Sequence, residues 1–212
     1  MKRARAHSSG RPPAHEIRAR NRRLLAIASE VFMEFGFEAA SVEEIARRAG
    51  ASKQTLYARY PSKARLFAAV MAQRSDQVLA SFSSFLMKGD NPAAALTGFG
   101  NTLLNLVLDK ETLALQHVVF SAARKFPELA KTFYDLGPGR AMKLLAGYLQ
   151  QQSAMGNLKV DDPEIAAEQF ANLVVGELLR RAALGLGRRT TPAGRRARLK
   201  AAVRTFMAAY GK

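Results

Sequence analysis

The chain has 212 residues, close to half of them hydrophobic, enough for one or two small domains with a real core. It has no cysteine, which excludes disulfides, thiolate metal sites and cysteine redox chemistry. The net charge of +16 is carried by the ends. Residues 1–65 hold 14 Lys/Arg against 6 Asp/Glu, residues 66–187 hold 11 of each, and residues 188–212 hold 8 Lys/Arg and no acid. A neutral body with basic ends points to a polyanionic partner. The basic start lacks a continuous apolar stretch and a small-residue cleavage site, and no apolar run reaches membrane-spanning length. The expectation is a soluble, cytoplasmic protein without a membrane partner.

Residues 1–16, with Gly10, Pro12 and Pro13, read as a disordered basic arm. Lys2, Arg3, Arg5 and Arg11, followed by Arg18, Arg20, Arg22 and Arg23, either follow a DNA backbone or minor groove or form a solvated tail. Leu24, Ile27, Ala28, Val31 and Phe35 then recur at helical spacing, and Gly36 ends that helix. Ser41 with Glu44 forms a capping box for a second helix, which Gly50 stops. Ser52 caps a third through about Arg59, ended by Pro61, and Ser62 caps a long fourth over about 62–87. Further helices are expected over about 91–108, 111–125 and 127–136, then from the Gly137-Pro138-Gly139 turn to about Gln152, and finally over 162–184 and 192–210. No alternating pattern suggests a strand. The fold class is all-α, divided into the arm (1–16), a helix-turn-helix domain (17–61) and a helical ligand-binding and dimerisation domain (62–212).

The densest constellation is Ser41 to Lys63. Two short helices meet at Gly50-Ala51, a corner where bulky side chains would clash. That is helix-turn-helix chemistry, in which the second helix enters the major groove. Lys53, Gln54 and Thr55 supply donors and acceptors at its start, Leu56 anchors it, and Tyr57, Arg59 and Tyr60 reach toward phosphates. Ser41, Ser52 and Lys63 complete the expected DNA-binding set.

Residues 17–67 resemble the N-terminal domain of TetR-type transcriptional regulators. The likeness is carried by Phe35-Gly36-Phe37, Ser41-Val42-Glu43-Glu44-Ile45-Ala46, Ala49-Gly50-Ala51-Ser52-Lys53, Thr55-Leu56-Tyr57, Tyr60, Ser62-Lys63 and Leu66-Phe67. It implies base contacts from Lys53, Gln54 and Thr55, and phosphate contacts from Ser41, Tyr57, Arg59, Tyr60 and Lys63. Two positions depart from the family: Arg59, where His is common, and Ala64-Arg65, where acids are common. Phe126-Pro127-Glu128-Leu129-Ala130, Phe133-Tyr134, Gly137-Pro138, Arg140, Gly156-Asn157-Leu158 and Asp162-Pro163 resemble the AefR-like C-terminal variant. The resemblance implies a ligand-responsive repressor, homodimeric, on a palindromic double-stranded DNA operator.

In the C-terminal part, Ala166, Phe170, Val174 and Leu178, with Leu199, Val203, Phe206 and Tyr210, form two apolar faces suited to a dimer interface or to intrachain core. A pocket for a small apolar or amphipathic effector is expected among Phe99, Leu103, His117, Phe120, Phe133, Met142, Phe170, Leu173 and Glu177. His117 interrupts an apolar stripe either as a ligand contact or as an ordinary histidine with one hydrogen bond. Glu177 either faces the pocket or pairs with Arg180 or Arg181. No catalytic motif, metal-ligand cluster or cofactor loop is present, so neither an enzyme nor a cofactor or metal protein is expected. The rivals are a sequence-indifferent architectural DNA binder and a small-molecule binder with a vestigial head.

Overall fold

The structure, a computed structural model, describes residues 13–86, 91–186 and 190–212; the expected contacts from Lys2, Arg3, Arg5 and Arg11 lie outside them. Among the described residues ten helices follow one another: α1 (Ala14–Ala39), α2 (Val42–Ala49), α3 (Lys53–Arg59), α4 (Lys63–Leu86), α5 (Pro92–Leu108), α6 (Lys110–Ala122), α7 (Pro127–Leu136), α8 (Pro138–Ala154), α9 (Pro163–Ala183) and α10 (Pro192–Tyr210). The one β-type feature among them is an isolated bridge between Leu158 and Gly211.

Most boundaries follow from local chemistry. Asn91, Asp109, Asp162 and Thr191 each accept an amide hydrogen bond from the first turn of the helix they cap. Five helices open on proline, which loses nothing at a position whose amide has no intrahelical partner. Pro13 does similar work for α1. Its carbonyl accepts from the Glu16 and Ile17 amides, and the helix starts at Ala14, inside the stretch expected to be arm. Gly36 interrupts α1 with φ 75° and ψ 171°, as expected of a stop, and a last turn runs on to Ala39. The Gly137-Pro138-Gly139 turn is tighter than expected, since only Gly137 separates α7 from α8.

The buried side chains form two cores. In the first, Val31, Phe32 and Phe37 of α1, Ile45 of α2 and Leu56 of α3 pack with Leu66, Phe67 and Val70 of α4 and with Leu115 and Val119 of α6. The Phe32 and Phe67 rings meet edge to face at 5.3 Å. In the second, the far half of α4 joins α5, α8, α9 and α10. A column of rings runs through it, with centroid separations of 4.3 Å for Phe82–Phe99, 6.4 Å for Phe99–Phe170, 5.4 Å for Phe170–Phe206 and 4.7 Å for Phe206–Tyr210. Helix α4 therefore belongs to both cores. Helix α6 packs on α1, so the sequence boundary at 61/62 is not a break in packing.

Candidate DNA-reading head and internal cavity

Helices α2 and α3 are set by three small devices. Ser41 Oγ accepts the Glu44 amide at 3.1 Å. Gly50, at φ 63° and ψ 34°, closes α2 in the left-handed region, where an L side chain is strained. Ser52 Oγ accepts the Thr55 amide at 3.1 Å and shares a hydrogen bond with Thr55 Oγ1 at 2.7 Å. Of α3 only Leu56 is buried, while Lys53, Gln54, Thr55, Tyr57 and Arg59 are exposed. The short helix thus spends one side chain on the core and leaves the others facing outward. Beside it, a cleft lined by Arg20, Arg23 and Arg59, with Gly50, Ser52 and Thr55, has no carboxylate on its wall.

Three carboxylates of the head, Glu34, Glu43 and Glu44, are engaged by basic side chains. The Glu44 side chain does not return to the Ser41 amide as a full capping box would require. It accepts from Arg47 Nε at 2.8 Å and Nη2 at 2.7 Å, and from Arg48 Nε at 2.6 Å. These bonds hold the Glu44 carboxyl down to about 2 and raise Arg48, which also donates to Glu34 at 2.6 Å. Glu43 pairs with Lys53, an ion pair that lowers the acid and raises the lysine. Sequence reasoning took Glu44 for the capping box and overlooked Arg47 and Arg48, which lie three and four positions on; the Glu34–Arg48 and Glu43–Lys53 pairs join different helices and leave no local signal.

Two expected phosphate contacts are turned inward. Lys63 Nζ donates to the Glu38 carbonyl at 2.7 Å and the Ala40 carbonyl at 2.9 Å, above the Phe37 ring at 5.0 Å. Burial lowers its pKa. Tyr60 donates its hydroxyl to Asn21 Oδ1 at 2.7 Å. The reason is geometric: both sit where the chain leaves α3 for α4 and can reach α1. They act as fasteners of the three-helix head.

A cavity of about 240 Å³ lies between α4, α5, α6, α8 and α9, with Phe133 of α7 on its wall. Of the nine expected pocket residues, Leu103, Phe133 and Met142 line it. Phe99 and Phe170 are fully buried in the ring column. His117, Phe120, Leu173 and Glu177 point to solvent, and Glu177 accepts from Arg180 at 3.0 Å. The difference between the expected set and this cavity's wall is one of helical phase, since one residue turns a helix by about 100°. On α6 the cavity sees Thr112 and Gln116, not His117; on α9 it sees Ala171, Val175 and Leu179.

The expected dimer residues are mostly taken up by the chain's own core. Ala166, Phe170, Val174, Leu178, Leu199 and Phe206 are buried within the single chain, and Val203 and Tyr210 are half-buried. Side chains already enclosed by their own core have little surface to offer a partner. The outward face of α9 instead carries Ile165, Gln169, Asn172 and Leu173, with Thr205 and Ala209 of α10 beside it. Among the described residues no helix is long and apolar enough to cross a membrane, and no group of His, Asp and Glu could hold a metal ion.

Residues 24–70 match the model of the tetR family of bacterial regulatory proteins, and residues 94–212, more than half of the chain, match the AefR-like transcriptional repressor C-terminal domain. The chain belongs to the TetR family. The N-terminal match falls on the helix-turn-helix head and the start of α4. A TetR-family regulator from Mesorhizobium loti has the same fold, with a TM-score of 0.82, 27% identity, and coverage of 92% of this chain and 98% of that one. The flavonoid-responsive regulator FrrA follows with a TM-score of 0.76, 31% identity, and coverage of 91% and 97%. In sequence, the regulator RutR of Escherichia coli K12 is 30% identical over 144 residues, or 68% of this chain and 57% of RutR. The transcriptional activator FasR of Mycolicibacterium smegmatis is 45% identical over 60 residues, or 28% of this chain and 27% of FasR. The chain thus spans about a quarter and about half of these two relatives' own lengths.

Proposed function

We propose that this TetR-family regulator is a ligand-responsive repressor that works in the cytoplasm as a homodimer on a palindromic operator. The observation that carries the reading is the face of α3, whose polar side chains are left in solvent while Leu56 alone holds the helix to the core. Lys53, Gln54 and Thr55 read base edges. Ser41, Ser52, Tyr57 and Arg59 meet the sugar-phosphate backbone, and Tyr60 and Lys63 hold the head in shape. Residues 17–61 make up the reading unit, and 62–212 the sensing and pairing unit.

The outward face of α9 and α10 around Leu173 and Ala209 is the surface for the second copy. A two-fold pair sets the two reading helices about 34–36 Å apart, one turn of DNA. The cavity is the effector site, because its wall includes the stretch of α4 that joins the two cores, from Met71 to Phe82. A ligand preferring one setting of α4 shifts the spacing of the heads, and one without such a preference shifts nothing. The repressor reading is supported by the description of the matching C-terminal family, and ligand response by the name of the neighbour FrrA.

Selection of bound sequences from random DNA with the purified full chain tests the reading. The expected result is an enriched palindrome with half-sites one helical turn apart. Equal retention of scrambled DNA at physiological salt would instead identify an architectural binder, and no retention at all a vestigial head.

A further inference from the structure

The cavity's chemistry bears on what it can hold. At about 240 Å³ it falls below the range of about 300–1,000 Å³ usual for drug-sized ligands, so its occupant is compact. Most of the wall is hydrocarbon, including Met71, Phe82, Leu103 and Val175. One charged side chain reaches it, Arg74, and its charge is already spent. Nη1 of Arg74 donates to Glu111 Oε2 at 2.5 Å, and Nη2 donates to Asp109 Oδ2 at 3.1 Å and Thr112 Oγ1 at 3.3 Å.

Two carboxylates flank that guanidinium, so an anionic ligand would have to displace one and face the other. A cationic ligand meets no acid on the wall, since neither Asp109 nor Glu111 lines the cavity. Burying an unpaired charge there is costly in either sign. Ser75 accepts from Arg140 at 3.3 Å, and the Thr112 hydroxyl donates to Asp109 at 2.9 Å. Gln116 differs. It is half-buried on the wall, and no side-chain hydrogen bond joins it to another described residue. Its amide offers both donors and acceptors.

Resting on the reading of this cavity as the effector site, we infer that it takes a compact, uncharged, largely apolar molecule whose single hydroxyl or carbonyl head is held by Gln116. The full chain is titrated with four naphthalene probes: 1-naphthol, naphthalene, 1-naphthoate and 1-naphthylmethylammonium. Binding is read by probe fluorescence and by the shift in Tm. 1-Naphthol is expected to bind in saturable fashion and more tightly than either ion.

Gln116→Leu is expected to weaken 1-naphthol about five- to tenfold, the loss of one or two hydrogen bonds, and to leave naphthalene unchanged. Gln116→Glu, a second variant of nearly unchanged size, is expected to lose 1-naphthol and gain the ammonium probe. Far-UV circular dichroism confirms that both remain folded. The inference is overturned if no probe binds, if 1-naphthoate binds as tightly as 1-naphthol, or if Gln116→Leu leaves 1-naphthol affinity intact. If 1-naphthol binds but the selected DNA is held as before, the effector reading fails and the ligand class stands. If only 1-naphthoate releases the DNA, the class fails and the effector reading stands.

Discussion

The helix-turn-helix head and the cavity half are both all-helical, yet the faces proposed to work are specified in different ways. In the head, α3 is only seven residues long and has one buried side chain, so its remaining residues face solvent whatever the details of packing. In the cavity half, α5 buries Leu96, Phe99, Gly100, Leu103, Leu104 and Val107, because α4, α9 and α10 enclose it from several sides. Apolar residues on several faces leave the phase undecided, and a shift of one position moves a side chain from cavity to core or to water. A short helix on a surface declares its working face; a long helix among neighbours does not.

The largest way to break this contrast is through the shared core. Phe67 is fully buried against the Phe32 and Phe37 rings. Phe67→Ala is expected to cost about 3–5 kcal/mol in urea unfolding. Because α6 and α7 share that core, the loss should appear in one transition and not in a separate melting of the head. Two resolved transitions would show that the halves are independent after all.

Next is Gly50→Ala. Nothing lies within 4 Å of the added Cβ, so the cost is purely that of the φ of 63°, about 1–2 kcal/mol. A variant as stable as the parent would mean that the α2–α3 corner does not need the left-handed turn.

Electrostatic effects are smaller. Glu43→Gln releases Lys53 and removes a negative charge from the face proposed to meet DNA. Affinity for any DNA should rise about two- to fivefold at low salt, read by fluorescence anisotropy. A fall would make Glu43 part of the recognition surface.

The last effect belongs to Glu44. Its folded carboxyl sits near 2 against an ordinary 4.5, so its stabilisation is present above 4.5 and drains away as pH falls toward 2. Glu44→Gln should therefore melt below the parent at pH 7, and the gap should narrow by pH 3. A gap independent of pH would remove the Arg47 and Arg48 bonds as its cause.

The helical fold was legible because its punctuation is local: Ser41, Gly50, Ser52, Asn91, Asp162 and the prolines speak for their own turns. The head was legible for the same reason, apart from Tyr60 and Lys63. Their inward bonds depend on Asn21, Glu38 and Ala40, up to 39 positions away. The cavity was half-legible. Leu103, Phe133 and Met142 were in reach of pattern reading, while Gln116 was passed over for its neighbour His117 because both interrupt the same apolar helix. What separates them is the packing of α6 on α1, which fixes the rotation of α6 and has no local trace in the sequence.

The double membership of α4 bears on how portable the two halves are. Recombining this head with another sensor at Pro61-Ser62 would bring in a foreign α4 to fill the places of Leu66, Phe67 and Val70. It would also bring in a foreign α6 to fill those of Leu115 and Val119. A working chimera has to match these positions across the seam. The natural unit of exchange therefore includes the inner faces of α4 and α6 together with the head they support.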